Sequence, residues 1–300
     1  MLYLDIYQNM TDLKYVGVQR QTKANAKIMV CLDSINNLYE NGYSVSKISR
    51  TLGIDRKAIA RLFKNNGEVT RPGFSYARKR FLIDEHYFDN IDTEIKAYML
   101  GFIYADGNYL KKKNRISIKL NSKDRSLLER FSYIIYGKEY LNDFTKVNAK
   151  GIRFHYTTFN IFNKHMSEML EWHGVVERKS KKIIFPEWLN ENLYRHFIRG
   201  LIDGDGCLSF PAKQSPVTIL ISTTKMNDFI KSYLEQKFSI KSYKIKAFKQ
   251  DIEQIYYLKI KNYRQNSILL NWLYKDAEIY LDRKFKLYLK FKEKAHSLGY

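Results

Sequence analysis

The chain of 300 residues carries 52 Lys and Arg against 31 Asp and Glu, a formal net charge of +21, and its 45% hydrophobic content suffices for one large domain or two moderate ones. A field of that sign draws a polyanion. With 24 Tyr and 18 Phe among the lysines, nucleic acid is favoured as the partner over a charge that only keeps the chain soluble; a membrane surface is a weaker rival, since no long amphipathic basic helix stands apart. No apolar stretch is long enough to span a bilayer, the opening MLYLDIYQNM lacks a basic n-region, and Cys31 and Cys207 have no Cys/His spacing around them; a membrane span, a signal peptide, a zinc module and a disulfide framework are therefore not expected.

Residues 1–24 offer at most a short strand between Leu2 and Tyr7 and are left unassigned. Over 25–66 the pattern is helical. AKIMVCLDSINNLYENG reads as a first helix ending at Gly42, and SVSKISRTLGIDRKAIARLFKNNG as two short helices with a tight turn at Gly53. Asp55 suits the N-cap of the last helix, and Ile48, Leu52, Ile54, Ile59 and Leu62 fall where a three-helix core needs them. That layout is a helix-turn-helix whose second helix presents Arg56, Lys57 and Arg61 to DNA; a small packing module with a solvated basic face is the alternative. Residues 67–90, with RPGFSYARKR, read as a basic linker.

The remainder is an internal repeat, taken as subdomains 91–189 and 190–300. MLGFIYADG, ending at Asp106 and Gly107, is answered 99 residues later by IRGLIDGDG, ending at Asp205 and Gly206. Strand-like pairs and helices follow each copy. Even the punctuation recurs, as Glu177-Arg178-Lys179 and Asp282-Arg283-Lys284. Two copies predict two similar subdomains about a pseudo-twofold axis. Arg115, Ser117, Lys119 and Asn121 alternate with Ile116, Ile118 and Leu120, giving one polar and one apolar face. Arg153, His155 and Thr157 alternate with Ile152, Phe154 and Tyr156 in the same way. In the second copy Lys244 and Lys246 flank Ile245, and Lys259 and Lys261 flank Ile260. These basic faces, through Arg115, Lys119, Asn121, Arg153, His155, Lys244, Lys246 and Lys259, are the expected nucleic-acid surface.

The motif helices are expected to start at Asp92 and Asn190 as N-caps. Gly101 and Ala105, like Gly200 and Gly204, are four apart, so each helix carries a ridge of small residues that lets the two pack closely. Close packing gathers Asp106 and Asp205 at two helix C-termini, where the macrodipole already repels negative charge. That arrangement calls for a cation, and hard oxygen ligands suit Mg²⁺, with other divalent cations also admitted.

MLGFIYADG and IRGLIDGDG resemble the two motifs of single-chain LAGLIDADG homing endonucleases, over roughly residues 81–300. The resemblance implies an α+β fold, with an αββαββα unit in each half and the strands forming a saddle over the DNA major groove. It implies metal ligation by Asp106 and Asp205, joined by the carbonyls of Ala105 and Gly204. It implies a catalytic lysine at the end of a late strand, for which Lys261 in LKIK is the match. The sixth motif position, Tyr104 in one copy and Asp203 in the other, is not the catalytic one. The implied protein is a monomeric, metal-dependent endonuclease of intron or intein mobility. It would make a double-strand break at a long site and lie in the cytoplasm with the nucleoid, an organellar origin being left open. The alternative is a non-cleaving binder of the same fold, an intron RNA maturase or a DNA-binding regulator.

Overall fold

The structure, a computed structural model, describes residues 32–40, 43, 45–65, 83–179, 182–211, 215–246 and 255–300. The chain divides into two compact units, one ending at Leu82 and the other beginning at Ile83. The segment 1–24, the start of the first helix and residues 67–82 of the expected linker lie outside the described residues. Residues 83–90, the end of that linker, belong to the second unit, where Phe88 is fully buried.

In the first unit lie α1 (Leu32–Glu40), α2 (Val45–Leu52) and α3 (Arg56–Asn65). Gly53 takes φ +63° at the turn, a conformation that a side chain would strain. Asp55 Oδ1 accepts the Lys57 and Ala58 N–H groups at 2.9 and 3.1 Å, capping α3. Ile48, Ile54 and Ile59 are buried with Ile35, Tyr39 and Phe63, while Leu52 and Leu62 pack at the edge. Arg56, Lys57 and Arg61 are exposed on α3.

The second unit repeats one order of elements. Its first half runs α4 (Glu94–Asp106), β1 (Gly107–Leu110), β2 (Arg115–Asn121), α5 (Arg125–Tyr136), β3 (Leu141–Val147), β4 (Arg153–Phe162) and α6 (Lys164–Trp172). Its second half runs α7 (Tyr194–Asp205), β5 (Gly206–Ser209), β6 (Val217–Thr223), α8 (Thr224–Phe238), β7 (Ser242–Lys246), β8 (Ile255–Lys261) and α9 (Tyr263–Tyr274); α10 (Asp282–Ser297) follows. Both halves build a four-stranded antiparallel sheet, ordered β1-β2-β4-β3 and β5-β6-β8-β7. Helices α5 and α6 pack on the first sheet, α8 and α9 on the second, so each sheet has a covered and an open face. The fold is α+β. Among the described residues no helix is long and apolar enough to cross a membrane.

Helices α4 and α7 form the centre. Every side chain from Ala97 to Ala105 is buried, which is why this helix is apolar all round rather than striped. Its N-cap is Thr93, one residue beyond the expected Asp92: Thr93 Oγ1 accepts the Lys96 N–H at 3.3 Å, and Asp92 instead pairs with the Lys96 ammonium at 2.9 Å. Asn190 caps a 3-10 turn, Glu191–Leu193, from which α7 continues.

Candidate active site

The small-residue ridges meet. A methyl built on Gly101 would overlap the Phe197 carbonyl, and one on Gly200 would overlap the Tyr98 carbonyl and stand 2.7 Å from the Phe102 nitrogen. At Gly204 it would overlap Ala105 and stand 3.4 Å from Asp106 Oδ2. The two motif helices therefore cross backbone to backbone, and their C-terminal ends lie side by side. Polar links between the halves hold the crossing. Buried Arg199 donates to Glu94 Oε1 at 2.7 Å, and the Tyr98 hydroxyl donates to Asp203 Oδ2 at 2.7 Å.

The sixth motif position is structural in both copies. Asp203 also accepts the Tyr274 hydroxyl at 2.6 Å and the Leu281 N–H at 2.8 Å, tying α7 to the segment after α9. Tyr104 does the equivalent in the first half, donating to the His173 carbonyl at 2.7 Å just after α6. Different side chains perform one task.

Asp106 is half-buried and Asp205 reaches solvent. Among the described residues neither carboxylate has a hydrogen-bond or ion-pair partner, so their oxygens are free to accept. Two lysines that no local pattern singled out flank them. The Lys179 ammonium donates to the Ile103 carbonyl at 2.8 Å and to the Ala105 carbonyl. The Lys284 ammonium donates to the carbonyls of Asp203 at 2.9 Å, Gly206 at 2.6 Å and Ile202. Each lysine thus plugs the end of one motif helix, adding a donor to the last carbonyls of that helix and offsetting its negative pole. These are the lysines of the repeated Glu-Arg-Lys and Asp-Arg-Lys stretches.

Burial pushes the proton affinity of both lysines down to about 8, while the aspartates hold it up: Asp205 and Asp106 at Lys179, Asp203 and Asp106 at Lys284. Asp106 is raised above the usual carboxylate range by burial, opposed by Lys179, Lys284 and Arg283. Asp205 is raised to about 6, by loss of hydration first and by Asp106 second, with Lys179 and Lys284 opposing. Part of its surface is open to solvent while protein crowds its other sides. The halves also differ. Arg283 Nε contacts both oxygens of Asp124 at 3.1 and 3.0 Å, and both groups act on Asp106.

Lys261 ends β8, exposed, with its ammonium 5.7 Å from the centre of the Tyr243 ring. The Ala105 carbonyl, expected to face a metal, already accepts Lys179.

Register sorts the expected nucleic-acid residues onto two faces. Ile116, Ile118 and Leu120 are buried, leaving Arg115, Lys119 and Asn121 on the open face opposite Phe162, Thr158 and Tyr156. Residues paired directly across antiparallel strands point the same way. Arg153 and His155 share a face with Thr157, Phe159 and Ile161, which are buried, so the expected grouping with Arg115 does not hold. The aromatics Phe154 and Tyr156, read as core, lie on the open face instead, Tyr156 stacked on Phe144 at 5.6 Å. In the second sheet Lys259 and Lys261 pair with Ile219 and Val217 on the open face, alongside exposed Tyr243 and Ile245. Lys244 and Lys246 pair across from Leu258 and Tyr256 on the covered side, and Lys244 reaches Asp228 of α8 at 2.6 Å.

No protein-family model and no curated protein matches the chain. Solved structures do. The homing endonuclease I-WcaI bound to its DNA recognition sequence matches at 13% identity and a TM-score of 0.48, over 69% of this chain and 92% of that one. The LAGLIDADG homing endonuclease I-GzeII in complex with its DNA target matches at 13% identity and a TM-score of 0.47, over 68% and 90%. The I-LtrWI LAGLIDADG homing endonuclease bound to target DNA matches at 13% identity and a TM-score of 0.44, over 69% and 91%. Likeness at this level leaves the activity to be argued from the side chains.

Proposed function

We propose that the second unit is a divalent-metal-dependent DNA endonuclease of the LAGLIDADG type, acting as a single chain on a long double-stranded site. The observation that carries the reading is the pair of unpartnered carboxylates, Asp106 and Asp205, at two crossed helix ends beside two ammonium groups. The donor set fits a hard divalent cation: oxygens are offered by two carboxylates and the Gly204 carbonyl, and neither carboxylate is taken by a partner among the described residues. The bound cation would polarise a phosphate and lower the proton affinity of water.

The remaining chemistry belongs to the chain. Lys179 and Lys284, held by helix-end carbonyls, keep positive charge beside the pair and stabilise the negative charge that builds on a phosphate under attack by water. This role, expected for Lys261, is better matched by these two. On the open sheet faces Arg115, Lys119, Lys259 and Lys261 meet phosphates, with exposed Tyr243 and Phe162 among them. The exposed Arg56, Lys57 and Arg61 of the first unit would add a second DNA contact.

Selection of bound duplexes from a random DNA pool in Ca²⁺, followed by transfer to Mg²⁺, tests the reading. A defined double-strand break in the selected sequence supports it. Selective binding without any cut in Mg²⁺ or Mn²⁺ would leave a non-cleaving binder.

A further inference from the structure

The chain enters the second unit through IDEHYFDNID, residues 83–92, which hold Asp84, Glu85, Asp89 and Asp92 but no Lys or Arg, in a protein of net charge +21. This acidic island is tightly folded. The His86 N–H donates to Asp84 Oδ1 at 3.0 Å and the Asp89 N–H to the His86 carbonyl at 2.9 Å. Phe88 is buried, and its carbonyl accepts from His173 Nε2 at 2.8 Å. The backbone leading into Asp89 is therefore anchored to the body of the unit through Phe88. Across from it stands α6, whose N-cap Asn163 accepts the Met166 N–H at 2.9 Å and so fixes the turn carrying His165.

Asp89 lies between two imidazoles. Its Oδ2 is 2.7 Å from His86 Nδ1 and its Oδ1 is 2.6 Å from His165 Nε2, and the rings meet edge to face with centroids 4.8 Å apart. One ligand atom from each residue lies within 4.8 Å of the other two, the one such group of three among the described residues. Two imidazole nitrogens and a carboxylate oxygen are borderline donors of the kind that take Zn²⁺, and three protein ligands leave a fourth position for water. Mg²⁺, which favours oxygen, is a poor match. Tetrahedral ligation at about 2.0–2.1 Å separates ligand atoms by about 3.3 Å, so the hydrogen-bonded pairs must open slightly and the imidazole nitrogens close together. Side-chain exposures of 66% for His86 and 37% for His165 give both rings room to make that adjustment.

We propose that His86, Asp89 and His165 bind one divalent transition-metal cation of the Zn²⁺ class, which staples the entry segment of the second unit onto α6. The site shares no residue with the Asp106/Asp205 pair and does not depend on the nuclease reading. Sequence spacing gave no hint of it, because Asp89 and His165 are 76 residues apart.

The test uses the full chain stripped of metal with a chelator. Zn²⁺ is titrated calorimetrically, Co²⁺ is followed by its visible absorption, and thermal midpoints are taken with and without Zn²⁺. The wild type should bind one Zn²⁺ beyond any held by the Asp106/Asp205 pair and melt about 5–10 °C higher at a hundredfold excess over Kd. The Asp106→Asn/Asp205→Asn double variant, which lacks that pair, should bind one Zn²⁺ and show the same rise in melting temperature. His165→Ala and His86→Gln should each bind at least ~10-fold more weakly and lose the rise in melting temperature, since each removes one of three ligands. Both side chains are exposed enough that the variants should fold. No stoichiometric Zn²⁺ binding would make Asp89 a plain hydrogen-bond acceptor and overturn the proposal. So would binding unchanged in both histidine variants, or binding lost in the double aspartate variant.

Discussion

Asp205 answers to three charges and to burial: lost hydration and Asp106 raise its proton affinity, while Lys179 and Lys284 lower it, leaving it at about 6. Below that pH a proton occupies a group that must be ionised to hold a cation. The Mg²⁺ concentration for half-maximal cleavage should therefore rise roughly tenfold for each pH unit below about 6, one proton being displaced per cation. Titrations of Mg²⁺ at several pH values check this; a requirement independent of pH down to 5 would remove Asp205 from the metal site. Lys179→Met should move the acid limb of the pH–rate profile to higher pH, because it removes a charge that lowers both Asp106 and Asp205. It should also slow cleavage by roughly 10²–10³-fold, whereas Lys261→Met should stay within severalfold of wild type. An unshifted acid limb in Lys179→Met would place its charge elsewhere. The aspartates were legible because each ends an apolar helix and the ending occurs twice. The lysines were visible only as repeated punctuation. Nothing local to Glu177-Arg178-Lys179 says that the chain folds back there to plug a helix 73 residues upstream.

At the level of elements, the crossing of α4 and α7 is the tightest contact in the second unit. Gly200→Ala should destabilise it by roughly 1–3 kcal/mol, because the added methyl meets the backbone at Tyr98 and Phe102, which cannot rotate away. That corresponds to a melting temperature lower by about 3–10 °C. An unchanged midpoint would mean the helices can slide apart at no cost. The small ridges were readable from i, i+4 spacing, and so was β2, whose Ile116, Ile118 and Leu120 face the core. β4 was misread for a physical reason: its open face carries Phe154 and Tyr156, and aromatic side chains on an exposed face mimic a core stripe. β7 misled in the opposite way, its lysines lying on the covered side, where Lys244 pairs with Asp228 of the covering helix α8 while keeping its charge at the sheet edge. Binding measurements separate the faces. Lys119→Glu and Lys259→Glu should weaken DNA binding and flatten its salt dependence, while Lys244→Ala, which only frees Asp228, should change neither. Equal losses from Lys244 and Lys259 would contradict the register-based assignment.

For the whole molecule, the two units make separate predictions. A fragment of residues 83–300 contains the carboxylate pair, both lysines and both sheets. It should keep cleavage and lose affinity, with the log–log salt slope shallower by about 0.9 for each phosphate contact that the first unit makes. Reversing Arg56, Lys57 and Arg61 together should reproduce most of that loss, and an identical salt slope would give the first unit some task other than DNA contact. The central claim is that Asp106 and Asp205 serve the reaction rather than the binding of DNA. Its most direct test measures cleavage and affinity together, on one selected duplex, for the wild type, Asp106→Asn and Asp205→Asn. Each variant should cleave at least ~10³-fold more slowly in Mg²⁺ while its Kd stays within about threefold, because each loses a cation ligand and no phosphate contact. Cleavage at the wild-type rate by either variant would contradict the account.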